Sequence, residues 1–246
     1  MVNIDNVYQK VLAIANKEQR GYITPQEFNL FADQAQMSIF EQYFYDLSQF
    51  SRIPGNNTDY ADAVNNLEQK ISEFELYNIE FPIVSSYGDV DINNVNDMYR
   101  LGHVRVVYDN GPRFILASKL SLKELTTYAA SPLIRNNKKS PYYTKYNSTS
   151  SVYKQRIKVY PYPIPPKDKV YISYVRKPIT AYWGYNVVGE AALYDPTKSS
   201  NFELHVSEEN DLVIKILALA GVAMKDPSMY QIASAEDQKN IQQQKQ

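Results

Sequence analysis

Residues 202–227, FELHVSEENDLVIKILALAGVAMKDP, constrain the fold more than any other stretch of the chain. From Leu212 to Met224 only Lys215 interrupts a run of apolar residues and glycine. A helix that is apolar nearly all round has no solvent face, so it belongs at the centre of a core or between subunits. About thirteen residues are too few to span a bilayer, which takes roughly twenty. Ser207 can cap the start of this helix, Glu208, Glu209 and Asp211 suit the positive end of its dipole, and Asp226 with Pro227 stop it and cap a last, polar helix. Ile214, Leu217 and Leu219 are therefore expected inside the subunit's own core.

The first third of the chain has helical periodicity. Ile4, Val7, Val11 and Ile14 recur at three- and four-residue spacing, which predicts a helix over 4–17. Thr24, Pro25, Gln26 and Glu27 form a capping box with proline at the first helical position, so a second helix starts there. Along it, Phe28, Phe31, Ala35, Ile39, Tyr43, Leu47 and Phe50 make one apolar stripe, and Leu30, Met37, Phe40 and Phe44 make another. A breaker at Pro54–Asn57 leads to a third helix, capped by Thr58 or Asp59, with Tyr60, Val64, Leu67, Ile71 and Phe74 as its seam.

From Asn78 the period becomes two. Segments 78–84 and 98–108 read as strands, and Asp109, Asn110 and Gly111 as a hairpin turn into 113–117. Ser121 caps a short helix, LKELTTYA. Residues 131–141 read as a polar loop, 156–160 and 170–175 as strands paired with each other, and 182–190 as one further strand. Four prolines between 161 and 166 exclude that connection from a sheet interior. The predicted class is α+β: a helical bundle over 1–77, a β-rich region over 78–200, and C-terminal helices over 201–246 packing back on the bundle, with one continuous domain as the alternative.

Charge narrows the function. Lys and Arg total 26 against 27 Asp and Glu, a net charge of −1, where a protein built to grip nucleic acid would carry a strong basic excess. Without cysteine, disulfide and thiolate chemistry are excluded. The opening MVNIDNVYQK lacks the pattern of a secretory signal, so a cytoplasmic origin is expected. Tyrosine is abundant, 22 residues against 9 Phe and 1 Trp. That suits either protein contact surfaces or a tyrosine-rich core.

Catalytic and ligand-binding patterns are weak. Asn16–Glu27 has the outline of a calcium loop, but Arg20 stands where a ligand oxygen is needed, and the capping box explains Thr24 and Glu27 without metal. His103 and His205 lack metal-binding spacing. No phosphate loop, dinucleotide fingerprint or nucleophile elbow is present. Glu203, Glu208, Glu209 and Asp211 cluster, and paired carboxylates serve glycoside hydrolysis, yet a helix N-terminus attracts acids for stability alone. No enzyme activity, cofactor or metal is expected.

Three blocks add a family signal. NIDNVYQKVLAIANKEQRGYITPQEFNLFADQAQ (3–36), YISYVRKPITAYWGY (171–185) and the 202–227 segment together resemble virion structural proteins of short-tailed bacteriophages, the crAss-like phages and marine relatives especially. Within such phages the chain is similar to the ring, or head-to-tail connector, proteins stacked beneath the portal. The element order also resembles the adaptor proteins of short-tailed phages, a comparison of architecture alone. The resemblance implies a non-enzymatic ring subunit in the neck or tail, lining a channel through which DNA passes without sequence-specific binding. It implies self-association into about twelve copies to match a portal, contact with portal and adjacent ring or tail proteins, and no membrane partner. The expected location is the virion, after synthesis in the bacterial host cytoplasm.

Candidate interface or lumen residues are Arg135, Lys138, Lys139 and Lys145 of a basic loop, with Phe40 and Phe44 on the second side of the long helix. Two rival readings are a tail-associated glycan-binding or glycan-cleaving module, suggested by the aromatics and the acid cluster, and a monomeric host-directed binding protein.

Overall fold

The computed structural model describes residues 1–17, 23–50, 58–85, 87–92, 95, 97–109, 111, 113–131, 137–148, 154–161, 168–189, 191–223, 235–236 and 238–239. The fold is α+β, as the change of hydrophobic period predicts. The chain divides into two units, one of Met1–Glu73 with Pro178–Gln246 and one of Phe74–Lys177.

The first unit is helical. Its helices are α1 (Ile4–Lys17), α2 (Pro25–Phe50), α3 (Thr58–Ser72) and α5 (Glu209–Ala223). On α1, Ile4, Val7, Tyr8, Val11 and Ala15 are buried while Ile14 is 44% exposed. The capping box of α2 forms as expected: the Thr24 amide donates to Glu27 Oε2 at 2.9 Å, and the Glu27 amide donates to Thr24 Oγ1 at 3.3 Å. Two orphan donors are thereby satisfied at the helix start. Along α2, Phe28, Ala32, Ala35, Gln36, Ile39, Phe40 and Tyr43 are all buried. They occupy adjacent rows on one side of the helix, so the two predicted stripes merge into one broad buried face. Leu30, outside it, is 72% exposed.

Helix α5 packs against α1 and α2, and α3 packs on α2. Leu212, Val213, Ile216, Leu217 and Ala220 are buried, Leu217 as expected, whereas Ile214 and Leu219 are only half-buried. The helix start also differs from expectation. A 3₁₀ turn, Val206–Glu208, precedes α5, and His205 caps it by accepting the Ser207 amide at Nδ1, 3.2 Å away. Ser207 lies inside that turn and is not the cap. The predicted stop at Asp226 and Pro227 and most of the last helix lie outside the described residues.

From Pro178, where the chain re-enters this unit, it runs along α2 as an extended strap. It also forms a hairpin, β8 (Tyr185–Val188) and β9 (Ala191–Tyr194), where one strand was expected. Gly189, at φ +67, supplies the left-handed backbone of the turn. At the hairpin base Gly184 has no room for a side chain, since a Cβ there would come within 2.6 Å of the Lys198 backbone.

The second unit is a seven-stranded mixed sheet in the order β1-β7-β3-β4-β5-β6-β2. The strands are β1 (Glu75–Phe81), β2 (Asp89–Asp91), β3 (Met98–Val107), β4 (Ile115–Lys119), β5 (Tyr142–Ser148), β6 (Lys154–Tyr160) and β7 (Lys169–Arg176), with helix α4 (Leu122–Ala130) between β4 and β5. Cross-strand register puts Phe81, Val90, Val104, Val106, Ala117, Tyr143, Ile157, Val159, Val170 and Ile172 on one face, where they form the core. A sheet with one apolar face must cover it, and this one does so by curling. The Ile83–Val90 bridge joins the chain just after β1 to β2 at the opposite edge. Edge closure of this kind removes free hydrogen-bonding groups as well as covering the core.

Two sequence expectations are corrected here. Strands 156–160 and 170–175 do not pair with each other: β6 lies between β5 and β2, and β7 between β1 and β3. The β-rich region also ends at Lys177, before residue 200, because 178–200 is bonded to the helical unit.

Candidate functional site

The most heavily constrained place in the helical unit is the strap. Gln36, with no exposed surface, donates from Nε2 to the Ile179 carbonyl at 2.7 Å and accepts the Glu203 amide at Oε1, 3.1 Å. The Glu203 carboxylate in turn accepts the Ile179 amide at 2.8 Å. Two helical turns earlier, Asn29 accepts the Trp183 amide at 2.7 Å and donates to the Trp183 carbonyl at 3.2 Å. Asn29 and Gln36 are seven residues apart, one face of the helix, and they grip an extended segment running antiparallel to it. Trp183 then donates from Nε1 to Asp5 at 2.9 Å. Its ring lies against Tyr8, Tyr185 and Tyr194, and Tyr8 meets Phe28 edge-on. The first residues are tied down as well, since Val2 and Phe202 exchange backbone hydrogen bonds of 3.2 Å in both directions.

These hydrogen bonds and ring contacts hold the strap's backbone on α2. The acid cluster at the α5 start is likewise committed. Glu203 is bound as described, buried Glu208 pairs with Lys70 at 2.5 Å, and Glu209 pairs with Lys10 at 2.7 Å. Burial first, and the Glu208 charge second, push the Tyr43 hydroxyl well above its ordinary value. His103 is exposed on β3, and His205 is spent on its cap. Among the described residues no three metal-binding side chains gather, and no helix is long and apolar enough to cross a membrane. Residues 18–22 of the calcium-loop outline lie outside the described residues.

The predicted basic loop does not stay together. Arg135 lies outside the described residues. Lys138 and Lys139 sit in a tight turn from Asn137 to Ser140 and are exposed. Lys138 pairs with Asp109 at 2.9 Å and lies over the Tyr108 ring, 5.5 Å from its centroid, so its charge is engaged within the chain. Lys145 belongs to no loop. It is on β5, a strand missed in the sequence because YYTKYNS places bulky tyrosines on both faces and shows no apolar alternation. Partial burial and neighbouring Lys119 lower its pKa. Phe40 is fully buried in the chain's own core, which corrects its assignment to an interface, and Phe44 is half-buried against it with ring centroids 5.1 Å apart.

The exposed apolar residues are elsewhere. The helical unit exposes, among others, Leu30 at 72%, Val187 at 68%, Val188 at 61%, Ile179 and Val206 at 58% each and Leu193 at 54%; Val187, Val188 and Leu193 lie on the β8–β9 hairpin. Sequence reasoning missed this element, although VVGEAAL is a hairpin signal once the Gly-Glu pair is read as its two-residue turn.

The described residues form an α+β protein with an exposed apolar hairpin on its helical unit. No family model matches the chain, and no curated protein matches it.

Proposed function

We propose that this chain is a structural ring subunit in the neck or tail of a short-tailed bacteriophage, where it connects portal to tail and contributes to the DNA channel. One observation carries the reading. The three separate blocks that resemble phage ring proteins, 3–36, 171–185 and 202–227, meet through Gln36, Ile179 and Glu203, one residue from each. The residues behind the resemblance are thus those that lock this unit together, which is what a shared fold demands. Near-neutral charge supports the same function, since a lumen dressed in lysine would hold DNA that must slide. The commitment of Glu203, Glu208 and Glu209 to partners within the chain removes the main support for glycan cleavage.

The test is the virion itself. A mass-spectrometric inventory of purified particles should contain the chain, and a reconstruction should place it in a cyclic layer of the neck or tail. Absence from particles, or a position outside such a layer, would overturn the reading.

A further inference from the structure

The chain's balanced charge conceals a strong segregation. Residues 110–167 hold eleven of the 26 Lys and Arg but only one, Glu124, of the 27 Asp and Glu, so the remainder of the chain is acidic. This segment builds β4, α4, β5 and β6, and its three strands are neighbours in the sheet. Its one acid is taken up in a helix cap, where the Glu124 carboxylate accepts the Ser121 amide and hydroxyl at 2.8 Å each.

On the β6 side β2 supplies counter-charge, with Asp89 and Asp91 in register with Lys158 and Arg156. On the β4–β5 side nothing does. Arg113, Lys119, Lys123, Lys139 and Lys145 are exposed and form no ion pair among the described residues. Strands β4 and β5 run parallel, and register sets Lys119 beside Tyr143. Side chains alternate along a strand, so Lys145, two residues on, shares the face of Lys119. Burial first and the Lys119 charge second hold the Lys145 ammonium below its ordinary pKa. Lys123 follows into the first turn of α4, and Lys139 lies in the turn that leads into β5. At about 3.3 Å per residue the cations from Lys139 to Lys145 extend over about 20 Å. Like charges gathered without counter-charge repel one another and oppose the compact state, a cost that a bound polyanion removes.

We infer that the β4–α4–β5 section is a phosphate-binding track by which this chain holds the backbone of DNA without reading its bases. The choice of DNA as the polyanion rests on the ring reading, in which the chain borders a DNA channel. A duplex presents one phosphate per about 3.4 Å of each strand's rise, so a track of this length meets several. Five cations in an otherwise acidic chain hold DNA weakly, and contacts to phosphates alone let a protein slide along the duplex. A basic track is thereby compatible with DNA that must pass.

Fluorescence anisotropy of a short labelled duplex with the full-length chain, at rising salt, tests this. Five phosphate contacts give a slope of log affinity against log salt of about −4.5, and duplexes of unrelated sequence should bind alike. Lys119→Ser combined with Lys145→Ser should weaken binding to all of them equally and make the slope shallower by about 2. Both side chains are exposed, and circular dichroism confirms that the variant folds. Lys10→Ser combined with Lys198→Ser, an equal change of charge on the helical unit, should bind like wild type. A wild type that does not bind at low salt would overturn the track, as would a Lys119 and Lys145 variant that binds like wild type, or a control that loses as much. A wild type that ignores DNA but self-associates at low salt, and loses this with Lys119 and Lys145, would assign the surface to the acidic unit of a second copy instead. Failure of DNA binding leaves the ring reading to particle imaging, and absence from particles leaves a measured DNA contact standing, so the two can fail separately.

Discussion

The side-chain amide of Gln36 replaces a missing strand for Ile179: it binds the Ile179 carbonyl and, with its other end, the Glu203 amide. Replacing Gln36 by leucine keeps the volume and abolishes both bonds, leaving a carbonyl and an amide without partners. Each unsatisfied buried group costs about 1–3 kcal/mol. Gln36→Leu should therefore lower the melting temperature by several degrees, and an unchanged melting curve would show that the strap is held by its aromatic contacts alone.

Leu217 is 7% exposed on α5, in the unit where α5 meets α1 and α2. Truncation to alanine should cost about 2–5 kcal/mol through lost burial and the cavity left behind. Because the burial is within one chain, the loss should appear in urea titrations of the monomer. A stable Leu217→Ala monomer that failed only in assembly would mean that the helix acts at an interface.

Legibility in the sequence follows the range of the interactions. Local signals are clear: the capping box at Thr24–Glu27 and the cap at Ser121 both form, and the β3–β4 pair follows its turn residues. The apolar run of α5 announced a buried helix because it has no polar face to offer. What stayed hidden depends on contacts distant in sequence. Nothing near Ile179 shows that its backbone will be satisfied by Gln36, so the sequence reads 178–200 as part of the β-rich region. Strand β5 is hidden because tyrosine suits either face, and the partner of β6 is hidden because alternation reports a face and not a neighbour. Of the candidate contact residues, Phe40 failed because an apolar side chain beside a buried stripe is more often a widening of that stripe than a second surface.

The α2 capping box should be acid-sensitive. The Thr24 amide and hydroxyl hold the Glu27 carboxyl below its ordinary value of 4.5. A carboxylate whose folded value is depressed contributes stability that is present above the unfolded value and lost as pH falls through the folded one. Melting temperatures of wild type and Glu27→Gln should thus differ above about pH 5 and converge as pH falls below 4. Parallel curves down to the lowest pH would mean that the charge of Glu27 adds nothing to its cap.

The Lys70–Glu208 pair joins α3 to the turn before α5, and its two members are unequally buried: 30% of the Lys70 side chain is exposed but only 6% of Glu208. The lysine also lies 5.4 Å from the Tyr43 ring centroid, so it faces both a carboxylate and an aromatic face. Lys70→Met removes the ion-pair partner of a buried carboxylate, a change that costs about 3–5 kcal/mol when both ions are buried; water reaching the lysine side brings the expectation to the lower end. Glu208→Gln should cost less, because the ammonium it leaves can turn to solvent. Adding Glu208→Gln to Lys70→Met removes the stranded charge, so the double variant should be more stable than Lys70→Met alone. Urea denaturation of the three variants measures this directly. If the double variant is the least stable and the two losses simply add, the pair makes no net contribution, and α3 is held on the unit by its apolar contacts.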